Sequence, residues 1–144
     1  MRRLFNAAAM SLVLLLVVIA PVAAGRPPRT GDQINLFDPP SSFPASEPFW
    51  VGHGWCSTAD DEDPLRSIVS PSTAVKFTVD GQPVVTGTDL SRNVSFDDGV
   101  TCIAFKVNYH NFAKGLAAGS HTITGCWYLL GELQFCLDAT IQFE

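Results

Sequence analysis

Few residues in this chain are of types that could do chemistry: four Cys, three His, one acidic run and a handful of aromatics. The Cys stand at 56, 102, 126 and 136 with no C-x-x-C pair, so a thiolate zinc site lacks its usual ligand spacing. In an oxidising compartment four Cys form two disulfides, which leaves no thiolate to act as a nucleophile. There is no G-x-S-x-G elbow. Ser120 and His121 are adjacent, and neighbours on a strand point to opposite faces, so they cannot pair as nucleophile and base. No enzymatic activity and no cofactor are expected. A small hydrolase assembled from distant loops is the least favoured reading.

Binding chemistry has more candidates. Asp60, Asp61, Glu62 and Asp63 supply hard oxygen ligands, and a loop calcium would draw on them, with Asp97 and Asp98 as partners from another turn. The run lacks the alternating spacing of an EF-hand loop, and acidic runs are usually solvated. Trp50 and Tyr128 are the outward aromatic candidates for stacking on a sugar ring, because strand parity turns Trp55 and Trp127 inward. His53 and His121 fall on inward faces, where a His at the core rim bonded to a backbone carbonyl is the plainer account than a metal. Asn93-Val94-Ser95 is a formal glycosylation sequon.

The elements that must hold these residues are strands. His121 to Tyr128 alternates with Ile123 and Trp127 on one side; Leu133 to Phe143 alternates with Phe135, Leu137, Ala139, Ile141 and Phe143 on one side. Two such runs about Leu130-Gly131-Glu132 read as a β-hairpin. Pro48 to Ser57 is an earlier strand, in which Gly52 and Gly54 mark places where another backbone or a large ring approaches. Ala74 to Val79, the Asp80-Gly81 turn and a short return strand limited by Pro83 form a second hairpin. Val94 to Phe96 and Thr101 to Tyr109 add two more strands, after a polar connection over Thr86 to Asn93. Leu65 to Ser70 is a helical turn or an extended link. No stretch sustains a period of 3.6.

The whole is an all-β antiparallel sandwich of about seven strands, over 48–144. Residues 25–47, rich in Pro and Ser, read as an arm or linker; before Asp38 a flexible tail is the favoured reading, and the alternative has Ile34, Leu36, Phe37 and Phe43 tucked into a sheet edge. Residues 1–24 read as a signal peptide: Arg2 and Arg3, an apolar Met10 to Ala20 core, and Val22-Ala23-Ala24 as the cleavage site. Arg2-Arg3 partly imitates a twin-arginine signal, but the very apolar core favours the general secretory route. Export to the cell exterior, the cell surface or the periplasm is therefore expected, with no membrane insertion once the signal is removed. Without Arg2 and Arg3, seven cationic side chains face 14 acids. Such a domain repels phosphate backbones, so nucleic acid is a poor partner, and a protein or glycan is the expected one.

Val75-Lys76-Phe77-Thr78-Val79-Asp80-Gly81, followed by Gly115-Leu116 and Gly119-Ser120-His121-Thr122-Ile123-Thr124, resembles bacterial immunoglobulin-like domains. Those carry an F-x-V-D-G hairpin and an L-x-x-G-x-H-x-(I/V)-T strand start. The resemblance covers Val75 to Glu144 and implies a fold, since such domains serve as spacers, adhesins and accessory modules alike. Two disulfides depart from the family pattern. The segment around Trp50 and Trp55 is similar to small secreted bacterial proteins of this size.

Parity predicts a core of Val51, Trp55, Val75, Phe77, Val79, Ile103, Phe105, Val107, Ile123, Trp127, Phe135, Leu137, Ile141 and Phe143. It leaves Lys76, Lys106, Thr124 and Gln142 outside. It also turns all four Cys outward. Cys126 and Cys136 lie symmetrically about Gly131, so the hairpin sets them opposite each other. Cys56 then pairs with Cys102, which requires their strands to be neighbours.

Overall fold

The computed structural model describes residues 29–59 and 64–144. Its clearest local determinants are two tight turns. Asp80 and Gly81 take φ of 50° and 78°, and Leu130 and Gly131 take 49° and 90°. Two successive left-handed residues make the hairpin turn whose twist matches that of the strands it joins. The first turn links β4 (Ala74–Val79) to β5 (Gln82–Pro83), and the second links β8 (Gly119–Leu129) to β9 (Glu132–Phe143). Leu130 has no conformational preference for this geometry. Its turn is fastened from outside: Leu130 N–H donates to Thr73 Oγ1 at 3.0 Å, and Gly131 N–H donates to the Ser72 carbonyl at 2.9 Å.

The remaining elements are β1 (Asp32–Ile34), β2 (Ser42–Phe43), β3 (Phe49–Ser57), α1 (Pro64–Val69), β6 (Gly87–Ser95) and β7 (Thr101–Phe112). Among the described residues these make two mixed sheets, ordered β1-β3-β7-β6 and β2-β9-β8-β4-β5, packed as a sandwich that is not a closed barrel. Nine strands rather than about seven result. The sheets are mixed rather than purely antiparallel because β1 lies parallel to β3 and β2 parallel to β9. Both extra strands come from the Pro-rich arm, which puts one strand on each sheet and drives Ile34 and Leu36 into the core. Residues 1–24 lie outside the described residues.

The core is built from Ile34, Phe49, Val51, Val75, Phe77, Ile123, Trp127, Ile141 and Phe143, each no more than 3% exposed. Trp55, Val79 and Leu137 pack against it half-buried. The two strand glycines sit where the sequence places them: a side chain at Gly52 would strike the Trp50 ring at 2.6 Å, and one at Gly54 would strike the Lys106 carbonyl.

Four expectations about faces are corrected. Between Cys102 and Asn108 the buried residues of β7 are Cys102, Ala104, Lys106 and Asn108, not Ile103, Phe105 and Val107, which are half-buried on the other face. The cause is register: β3 sets Val51 opposite His110, His53 opposite Asn108 and Trp55 opposite Lys106, so the even residues of β7 share the core face of β3. Lys106, expected outside, is 7% exposed for that reason. Cys102 is fully buried rather than outward. Phe135, expected buried, is 42% exposed and stacks on Trp127 with ring centroids 4.7 Å apart.

The disulfides pair as the sequence predicts. Cys126 and Cys136 are directly opposed across β8 and β9, with Cα atoms 4.1 Å apart. Cys56 bonds Cys102, and β3 and β7 are neighbours. The route differs, since Phe105 rather than Cys102 stands opposite Cys56.

Candidate functional site

The sequence candidates are not brought together. Trp50 lies on β3 and Tyr128 on β8, in different sheets, so they cannot form one platform. Each ring is also covered by a cation. The Arg29 guanidinium sits 4.7 Å from the Trp50 ring and 5.0 Å from that of Tyr109, while its Nη2 bonds Asp89 at 2.8 Å. Lys76 Nζ lies 4.6 Å over Tyr128. Asp60, Asp61, Glu62 and Asp63 lie outside the described residues. Asp98 is occupied in its own turn, where Oδ1 accepts the Val100 N–H at 3.0 Å. No cluster of three or more His, Cys, Asp or Glu able to hold a metal occurs among the described residues.

The three His have separate employments. His53 stands among Phe37, Phe77 and Trp127, with Nε2 accepting the Leu36 N–H at 3.1 Å. Burial lowers its pKa to about 4, so it is a neutral acceptor at neutral pH. His110 Nδ1–H donates to the Val85 carbonyl at 2.6 Å. His121 is held at both nitrogens, Nδ1 by Asp80 Oδ2 at 2.7 Å and Nε2 by the Ala117 carbonyl at 3.1 Å. A ring so engaged has no free lone pair with which to take a proton from a hydroxyl.

The place where polar, charged and apolar groups converge is one that sequence reasoning missed. β5 pairs with β4 only at Thr78 and Val79, so the edge of β4 at its Ala74 end lacks a neighbouring strand. The Asn108 side chain from the opposite sheet stands in for one. Its Oδ1 accepts the Val75 N–H at 2.8 Å, and its Nδ2 donates to Thr88 Oγ1 on β6 at 2.8 Å. Beside it Lys106 Nζ donates to the carbonyls of Ser70 at 2.7 Å and Thr73 at 2.5 Å. Burial pushes the pKa of this ammonium below the usual lysine value.

Above these two side chains a groove of about 460 Å³ opens between β6, α1 and the edge of β4. Ile68, Val69 and Leu90 give it apolar walls, and Lys76 stands at its rim. A second hollow of about 500 Å³, along β4 and β5, adjoins it through Lys76 and Thr86. Among the described residues no Asp or Glu lines either of them. The only sequence signal for this site was an oddity: a Lys and an Asn alternating with the apolar residues of a strand. A lesser feature is the rim formed by Phe37, 62% exposed, and Phe135 against Trp127.

Comparison of the chain with protein-family models, curated proteins and solved structures finds no match.

Proposed function

We propose that this chain is an exported, non-catalytic immunoglobulin-like module that acts by binding outside the cell or at its surface, with the groove over Lys106 as its binding site. The observation that carries the reading is the 7% exposed Lys106 at the base of a groove of ligand-binding size. Binding pockets typically combine an apolar lining with a few placed polar groups, as this one does. Two disulfides are consistent with an oxidising exterior, and no helix among the described residues is long and apolar enough to cross a membrane. The fully engaged His121 and the absence of a free Cys speak for binding rather than acyl or thiol chemistry.

The test fills the groove without touching the core. Leu90 is 40% exposed and lines the groove, so Leu90→Trp should occlude it while the domain still folds. Fractions of extracellular medium are screened for those that raise the melting temperature of the mature protein. Fractions that stabilise wild type and fail on Leu90→Trp support the reading. Equal responses, or none, overturn it. A sugar-binding reading is favoured only by the exposed Phe135 stacked on Trp127, and a glycan-array signal lost in Phe135→Ala would establish it.

A further inference from the structure

The groove over Lys106 is out of charge balance. The chain carries 14 acids against nine Lys and Arg, yet among the described residues no carboxylate lines the groove and none pairs with Lys106. Among the described residues the Lys106 ammonium bonds only the neutral carbonyls of Ser70 and Thr73. A buried cation without an anion keeps a desolvation cost that carbonyl dipoles offset only in part. An ammonium has three N–H donors and a carboxamide two, so Lys106 and Asn108 each retain one beyond the bonds described. Lys106 and Asn108 line the groove together with the apolar Ile68, Val69 and Leu90.

Resting on the binding reading above, we propose that the groove takes an apolar chain ending in a single carboxylate. The carboxylate lies against Lys106 and Asn108, and the chain runs along Ile68, Val69 and Leu90. A small hydrophilic anion would leave the apolar wall unused. A neutral or cationic amphiphile would leave Lys106 without its counter-charge. A charge-assisted bond at a half-buried site contributes enough to set the ligand class, not only its orientation.

The experiment titrates the mature protein with decanoate, decanol and decylamine by calorimetry. Decanoate should bind saturably and about tenfold or more tighter than decanol, as expected for a hydrogen bond to a charged group. Lys106→Met keeps the side-chain volume and removes the charge, and it should abolish the preference while decanol binding is unchanged. Equal affinities for decanoate and decanol in wild type overturn the proposal, as does a preference that survives in Lys106→Met. Should that variant not fold, the wild-type comparison decides alone. Absent decanoate binding, together with medium-derived stabilisation that Leu90→Trp removes, would overturn the carboxylate class and leave the binding site standing.

Discussion

Asp80 and His121, 41 positions apart, close a 2.7 Å contact that fastens the β4–β5 turn to the start of β8. The other oxygen of Asp80 accepts the Thr122 N–H at 2.9 Å, so one carboxylate anchors both a ring and a backbone. The hydrogen bond to Asp80 raises the pKa of His121. The hydrogen bond from His121, then that from Thr122, lowers the pKa of Asp80.

The pH dependence of this pair has opposite signs at its two ends. Charged His121 contributes stability that is complete below its unfolded pKa of 6.5 and is lost as pH rises through the higher folded value. Charged Asp80 contributes stability that is complete above 3.8 and is lost as pH falls through its lower folded value. The contact is therefore fully effective between those two unfolded pKa values. Asp80→Asn keeps a residue that tolerates the left-handed turn while removing the charge. NMR titration should find His121 above the ordinary histidine value in wild type and lower in Asp80→Asn. Equal values in the two proteins would mean that the contact does not form.

Lys106 supplies a direct test of the β7 face. Under brief labelling of the native protein with an amine-reactive ester, exposed Lys76 and Lys114 should acylate, and Lys106 should react only on unfolding. Lys106→Glu would set a carboxylate against the carbonyls of Ser70 and Thr73 and should destabilise by about 3–5 kcal/mol, as an uncompensated buried charge does. Rapid native labelling of Lys106 would restore the opposite face to the core.

The two disulfides should contribute unequally. The bond from Cys56 to Cys102 spans 46 positions and that from Cys126 to Cys136 spans 10. In the chain-entropy model the first stabilises by about 4 kcal/mol and the second by under about 3. Paired Cys→Ala variants compared by denaturant melts would show the order. Non-reducing peptide mapping should join Cys56 only to Cys102.

Leu130 is a position where substitution should help. It holds φ of 49° and is 57% exposed, so it gives up little burial on replacement. Leu130→Asn creates an Asn-Gly turn and should stabilise by about 1 kcal/mol, or roughly 4–8 °C for a domain of this size. An unchanged melting temperature would show that Thr73 and Ser72 already compensate the turn.

Trp127→Ala should cost about 3–5 kcal/mol, because the ring is 3% exposed and its Nε1 reaches the Gly54 carbonyl at 3.3 Å across the sandwich. Phe135→Ala, at the open rim, should cost far less. Thermal melts of the two variants give the comparison.

Much of this architecture is written in local chemistry. Asp80-Gly81 announces its turn, the residues about Gly131 set Cys126 against Cys136, and Gly52 and Gly54 mark their crowded neighbours. The face of β7 is not written that way. Hydrophobicity favours Ile103, Phe105 and Val107, and the decision falls to a register with β3 that no local pattern encodes. Lys106 and Asn108 tolerate the interior because backbone groups of Ser70, Thr73 and Val75 take up part of their hydrogen bonding, and those arrive from 33 to 36 positions away. β6 escaped notice as one strand for a related reason. An edge strand wet on both faces shows no alternation, and Gly87–Ser95 is exposed along most of its length. The groove draws Thr88 and Leu90 from β6 and Lys106 and Asn108 from β7, so it was illegible as well.

β2 has a consequence for how the molecule can be made. Ser42 and Phe43 pair with Gln142 and Phe143, and Ala45 N–H donates to the Glu144 carbonyl at 2.9 Å. A ribosome delivers the first of these partners about a hundred residues before the second, so this part of the sandwich cannot close during early synthesis. Ile34 and Leu36, already outside the tunnel, wait without their core partners Ile141 and Phe143. That corner of the sandwich therefore stays open until synthesis has passed Phe143.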